Sequence, residues 1–196
     1  MADALELDVR HTALVLIDLQ RAILERPVAP NTAKDVLARA VRLAASFRAR
    51  AAAVALVRVS YSSAGTDVLG QRRDLPAPAM ARERGWDELA PELGRDERDI
   101  LITKHQWGAF YGTALDLQLR RREVRTIVLG GIATNFGVES TARDAFERNY
   151  ELVFVEDAMA GLTAEAHAFA CQTIFPRIGR VRSTQEVCDA LTNAAG

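Results

Sequence analysis

The sequence predicts an α/β protein, a three-layer α/β/α sandwich built on a parallel sheet. Two observations predict it: short apolar runs of strand length recur along the chain, and amphipathic segments separate them. The runs are TALVLID (12–18), AVALVRV (53–59), DILIT (99–103), TIVLG (126–130), LVFVED (152–157) and a weaker RVR (180–182). Strands covered by helices on both faces read as continuous apolar stretches rather than alternating ones, and these runs read that way. Between the first two, a helix is expected from Asn31 or Thr32, with Val36, Ala40, Leu43 and Phe47 along one face at the 3.6-residue period. Thr113 with Asp116 has the spacing of a capping box for a helix to about Arg122. Ser183 with Glu186 has it for the last helix. Right-handed crossovers then place helices on both faces of the sheet. The exception is Ser60 to Arg98, an irregular excursion containing Pro76, Pro78, Pro91, Gly65, Gly70 and Gly85. A connection this long reads equally as a lid or binding loop, or as a solvated loop that serves an oligomer contact.

Bulk properties narrow the function. A chain of 196 residues, 49% of them hydrophobic, has the size of a single domain spanning 1–196. Its 25 basic and 26 acidic residues nearly cancel, which leaves no field to attract nucleic acid or an anionic membrane; the expected partner is a small molecule. No apolar stretch approaches the ~20 residues needed to cross a bilayer, and the first residues lack a basic segment followed by a long apolar run, so the expected location is cytoplasmic. Cys171 and Cys188 lie in helical patterns and are read as buried small hydrophobes, neither of them a nucleophile.

In an open parallel sheet, ligands bind beyond the carboxyl ends of the strands, so the residues just after each run carry the most information. The first run ends in Asp18 and Gln20, the second in Arg58, Ser60 and Tyr61, and the third in Lys104 and His105. Asp18 closes an almost wholly apolar strand, where low-dielectric walls raise a carboxyl pKa towards acid/base work; the alternative is an N-cap for the short RAIL turn. Lys104, ending its own strand, is the natural partner to hold that carboxylate or to stabilise developing negative charge. The fourth run leads into GGIATNFG, where Gly130, Gly131 and Ala133 permit a tight strand-to-helix turn and Thr134 or Asn135 is placed to cap the helix. Backbone N–H groups at such a start face an anion or a carbonyl oxygen. A nucleophilic cysteine would suit this place, because a helix start lowers a thiol pKa. The residue present is Gly137.

Taken together, ALVLIDLQ with Asp18, the spacing of Lys104, Phe110, Thr113 and Leu115, and GIATNFGVESTARDAFERNY followed by LVFVEDA resemble the isochorismatase-like, or cysteine hydrolase, superfamily over nearly the whole chain. The resemblance implies a six-stranded parallel sheet of Rossmann-like form, Asp18 as acid/base, Lys104 in support and a non-proline cis peptide between Ile132 and Ala133. It also implies an oxyanion-binding turn from Ile132 and Ala133 through Thr134, Asn135 and Phe136 to Gly137. Amidase members use the aspartate to activate a cysteine that forms an acyl-enzyme. Here that position is Gly137, which argues against the covalent route. Ser140 and Thr141 lie a turn beyond the nucleophile position, and nothing adjacent in sequence marks Thr134 as activated. Isochorismatases also carry glycine there and have no covalent step, but their Ala-Gln-Pro motif after the second strand is replaced by SYSSAGTD. The resemblance therefore supports noncovalent acid/base hydrolysis of a small cyclic or carboxylated metabolite more directly than it supports isochorismate. A silent binding or scaffold protein and an amidase with another nucleophile are the alternatives.

No metal and no cofactor are expected. The resemblance places the metal ligands of its nicotinamidase members, an Asp and two His, near the second strand, whereas residues 53–70 contain Asp67 but no histidine; His11, His105 and His167 are scattered and read as surface residues, and no G-x-G-x-x-G spacing occurs. In HQWGAFYG (105–112), Phe110 is assigned to the core, while Trp107 and Tyr111 read equally as pocket wall or subunit interface. Arg58 and Tyr61 read equally as carboxylate-binding or as solvated or interface residues. A homo-oligomer, dimer or larger, is expected from the resemblance.

Overall fold

The computed structural model describes residues 4–75 and 83–194. Six strands form one parallel sheet in the order β3-β2-β1-β4-β5-β6: β1 (Thr12–Ile17), β2 (Ala53–Val59), β3 (Ile100–Lys104), β4 (Thr126–Ile132), β5 (Glu151–Ala160) and β6 (Arg180–Arg182). The helices are α1 (Arg21–Leu24), α2 (Ala33–Ala49), α3 (Leu115–Arg120), α4 (Glu139–Glu147), α5 (Ala164–Phe169), α6 (Phe175–Ile178) and α7 (Thr184–Asn193). A π-helical turn, Thr134–Val138, leads into α4, and a second, Ala170–Ile174, joins α5 to α6.

Side chains alternate across the sheet, and that alternation makes the three layers. Leu14 and Leu16 of β1, with Leu56 and Val128 on the neighbouring strands, pack against Val36, Ala40, Leu43 and Phe47 of α2 and Val187 and Leu191 of α7. Ala13, Val15 and Ile17 face the other way, towards Leu115 and Leu119 of α3, Ala142 and Ala145 of α4, and Phe175. Because β1 is buried along its whole length, it carries no polar residue between Thr12 and its end. Among the described residues no helix is long and apolar enough to cross a membrane.

The local signals fared differently. Thr32 caps α2, its hydroxyl accepting the Asp35 N–H. Ser183 and Glu186 form the reciprocal capping box of α7. Ser183→Ala is expected to lower stability by about 1 kcal/mol, read by urea unfolding; an unchanged midpoint would show that the Glu186 arm suffices. Thr113 and Asp116 do not form a box. The Thr113 hydroxyl donates to the Ala109 carbonyl and accepts the Leu115 N–H, Asp116 accepts from the Tyr150 hydroxyl at 2.8 Å, and Ala114, the N-cap of α3, makes no side-chain cap bond. Between Ser60 and Arg98 the described residues hold one 3₁₀ turn, Pro91–Leu93, and a bridge from Leu89 to Gln20; Pro76 and Pro78 lie outside them.

The strand order places the site. Successive crossovers run outward from β1 through β2 to β3, then the chain returns to lay β4 on the other side of β1. The crevice between β1 and β4 is therefore the switch point where connections leave in opposite directions. Gly131 makes the close approach there. It pairs with Ile17, has φ of +126°, and an added Cβ would stand 2.2 Å from the Ile17 carbonyl oxygen.

Candidate functional site

Three strand ends converge on the switch point. Asp18 follows β1 with φ of +53°, a left-handed conformation that aspartate tolerates better than most residues and that turns the chain out of the sheet. Gln20 locks this turn from below. It is fully buried, and its amide donates to the Val59 carbonyl and accepts the Val59 N–H at 2.9 and 2.8 Å. Gln20 is thus a structural clamp rather than a substrate group, and it, not Asp18, occupies the N-cap of α1.

Lys104, the last residue of β3, lies two strands from β1 across β2, roughly 10 Å at the usual strand spacing. Its four-carbon stem and the Asp18 side chain together close that gap. The ammonium donates to Asp18 Oδ2 at 2.7 Å and to the Gln106 carbonyl at 3.1 Å, and both charged side chains are more than nine-tenths buried. The second carboxylate oxygen, Oδ1, has no hydrogen-bond partner among the described residues. Burial pushes the Asp18 carboxyl up from its ordinary value, against the opposing pull of Lys104. The result is a buried carboxyl group with one oxygen tethered to Lys104 and the other without a hydrogen-bond partner among the described residues.

The third strand end supplies the facing wall. The peptide between Ile132 and Ala133 is cis, and the chain enters the π-helical turn immediately afterwards. Gly137 lies in that turn. A Cβ added to it would point at the carboxylate, 3.1 Å from Asp18 Oδ2 and 3.0 Å from Ile17 Cγ2. A side chain on residue 137 would therefore project onto the Asp18 carboxylate, and none is there.

A cavity of about 220 Å³ opens over these groups, below the ~300–1,000 Å³ usual for larger organic ligands. Asp18, Lys104, Ile132, Ala133, Phe136, Gly137, Tyr61 and Trp107 line it. Trp107 meets Phe136 edge to face at 4.9 Å, and Tyr61 stacks on Trp86. The irregular segment contributes a wall through Tyr61, Val68, Leu69 and Arg73.

Several expected site residues face elsewhere. Tyr111 is exposed and away from the cavity. Thr134 and Asn135 do not cap the helix; Ala133 is the N-cap, with no side-chain bond. The Thr134 hydroxyl instead meets His167 Nδ1 at 2.8 Å, behind the turn. His167 is buried, not a surface residue. Arg58 turns from the cavity to Asp87 and the Thr103 hydroxyl. In the opposite direction, Arg26 and Arg73 line the cavity and have no carboxylate partner among the described residues. Sequence reading missed both, although Arg26 follows the RAIL turn that Asp18 introduces; Arg73 sits in irregular chain with no periodic signal.

Comparison with known proteins agrees with this architecture. The Isochorismatase domain model matches residues 12–186. The isochorismatase family protein YecD of Escherichia coli O157:H7 is 51% identical over 187 residues, covering 95% of this chain and 100% of that protein. The ureidoacrylate amidohydrolase RutB of Acinetobacter baylyi is 32% identical over 218 residues, covering 93% of this chain and 84% of that protein. An isochorismatase family protein from Burkholderia thailandensis superposes with a TM-score of 0.91 at 45% identity, over 96% of this chain and 98% of that one.

Proposed function

The chain belongs to the isochorismatase family of hydrolases, and from that premise we propose that its catalysis is noncovalent, with Asp18 as general acid/base, Lys104 beside it and no side-chain nucleophile. The observation that carries the reading is the Gly137 geometry. Where a side chain would point straight at Asp18 there is only hydrogen, so substrate or water can approach the carboxyl directly.

In this reading Asp18, protonated through Oδ1, gives its proton to the substrate as the scissile bond weakens, and water completes the hydrolysis. Lys104 stabilises the carboxylate that is left, and no reorganisation is needed because it already touches Oδ2. The turn from Ala133 to Gly137 then receives the oxygen on which charge gathers through backbone N–H groups other than that of Phe136, which donates to the Ala133 carbonyl. Arg26 and Arg73 favour a substrate bearing a carboxylate, and Trp107 and Phe136 supply flat apolar walls for its ring or planar part. We place the enzyme in the cytoplasm as a homo-oligomer of single-domain subunits.

The test is a panel of small metabolites that includes isochorismate, ureidoacrylate, nicotinamide and carbamoyl compounds, run on the native protein and on Asp18→Asn. Turnover without a covalent adduct in intact-mass spectra is the expected result. An acyl adduct, or equal turnover by the variant, would falsify the noncovalent assignment; tight binding with no single-turnover product would mark a scaffold instead. With a carboxylated substrate in hand, Arg73→Ala is expected to raise KM about tenfold with little change in kcat, the size of one charge-assisted hydrogen bond. If kcat falls and KM holds, Arg73 acts on the reacting centre rather than on binding.

A further inference from the structure

Behind the catalytic turn, on the side away from the cavity, lies a group of side chains that the hydrolytic reading does not use. His167, on α5, and Cys171, one turn later, are both buried, and Glu156 reaches them from β5 with its side chain about half exposed. One ligand atom from each lies within 4.8 Å of the others. We propose that Glu156, His167 and Cys171 form a site for a divalent transition-metal ion of the zinc class, a structural clamp for the turn that carries Phe136 and Gly137.

The distances suit an ion, although Cys171 Sγ and His167 Nε2 also stand within hydrogen-bond reach of each other. Zinc bonds of about 2.3 Å to sulfur and 2.0–2.1 Å to nitrogen, at a tetrahedral angle, put the two ligand atoms roughly 3.6 Å apart. Cys171 Sγ and His167 Nε2 stand 3.6 Å apart. Glu156 Oε1 is 4.0 Å from the same nitrogen, and a partly exposed side chain closes the remaining gap by a small rotation. The donor set of thiolate, imidazole and carboxylate suits a borderline ion better than calcium or magnesium. Glu156 and His167 also line a cleft of about 390 Å³ with Asn31 and Ser183, which gives the ion an entry path and a place for a water as fourth ligand.

The imidazole is already oriented. Thr134 holds Nδ1 at 2.8 Å and so aims Nε2 at the sulfur, which is the kind of outer-shell contact that fixes a ligating histidine. Without a metal, burial favours the neutral imidazole of His167 and pushes the Cys171 thiol up to about 12. On binding, the sulfur–metal bond forms as the thiol proton leaves to solvent, and no oxidant or reductant is involved. Through Thr134 the ion would tie α5 and β5 to the first residue of the catalytic turn.

The test uses the full chain, treated with chelator under reducing conditions and titrated with Co²⁺. One equivalent bound with a thiolate-to-cobalt charge-transfer band is the expected result, the band bleaching when Zn²⁺ displaces cobalt. Cys171→Ser should abolish the band and Cys188→Ser should keep it. Thr134→Val should weaken binding about 10–100-fold. Zn²⁺ at a hundredfold excess over Kd should raise Tm by about 5–10 °C. Should Cys171→Ser fail to fold, Glu156→Gln, altered at a solvent-facing ligand, decides the matter by a weaker affinity in a folded protein. No band in the native protein, a band that survives Cys171→Ser, or an affinity indifferent to Glu156→Gln overturns the site. None of these readouts involves turnover, so the metal site and the hydrolytic reading fail separately.

Discussion

Lys104→Met is expected to destabilise the protein by about 3–5 kcal/mol at neutral pH, the cost of leaving one member of a buried ion pair without its partner. Methionine keeps most of the volume of the stem, so little of the loss comes from a cavity. The cost falls on Asp18, whose Oδ1 has no hydrogen-bond partner among the described residues and whose Oδ2 then loses the Lys104 ammonium. The pH dependence distinguishes this from a packing defect. Burial already raises the Asp18 pKa in the folded protein, and without Lys104 it rises further. A carboxyl with a raised folded pKa is tolerated in its protonated form. The deficit should therefore be small below the unfolded carboxyl value, near 3.9, and grow as pH rises through the folded value. Urea unfolding of native and variant protein at acid and neutral pH measures it. A deficit that stays the same at both pH values would locate the damage in packing and not in charge.

Asp18→Asn is expected to lower kcat by about 10²–10⁴-fold on whichever substrate the protein turns over, the usual contribution of a positioned acid or base. The amide has nearly the shape of the carboxyl but transfers no proton, so KM should change little. For a general acid the active form is the protonated one. Because burial holds the Asp18 carboxyl above its ordinary value, the native rate should fall on the alkaline side of that raised pKa, and the fall should be missing from the residual activity of the variant. A rate that climbs with pH through the same region would make Asp18 a general base. A pH profile identical in both proteins would remove it from the chemistry. Thermal unfolding of the variant must accompany the kinetics, because asparagine leaves Lys104 as an uncompensated buried charge.

The sheet was legible because parallel strands buried on both faces need apolar residues at nearly every position, and the six runs lie within a few residues of the six strands. The main difference is at the carboxyl end of β5, which continues to Ala160 because Met159 and Ala160 pair with Gly131 and Ile132 beyond a register shift. Capping signals were reliable only where nothing competed for the side chains. Ser183 and Glu186 face each other on an exposed helix start, whereas Thr113 and Asp116 are claimed by the Ala109 carbonyl and the Tyr150 hydroxyl. Such competitors are distant in sequence, so spacing alone does not show them.

The same division runs through the site. The sequence by itself determined that Asp18 and Lys104 stand at the carboxyl ends of the first and third apolar runs, that a small-residue turn follows the fourth, and that residue 137 carries no nucleophile, since these depend on chain order and on ligands binding at the carboxyl edge of such a sheet. Only the tertiary structure decided which neighbours point inward. It turned Gln20 into a clamp on Val59, sent Tyr111 to solvent and Arg58 to Asp87, and brought Arg26 and Arg73 to the cavity. It also gathered Glu156, His167 and Cys171 behind Thr134. The physical reason is that a strand end fixes where a backbone goes, while the direction of a loop side chain follows from hydrogen bonds and packing with residues far away along the chain.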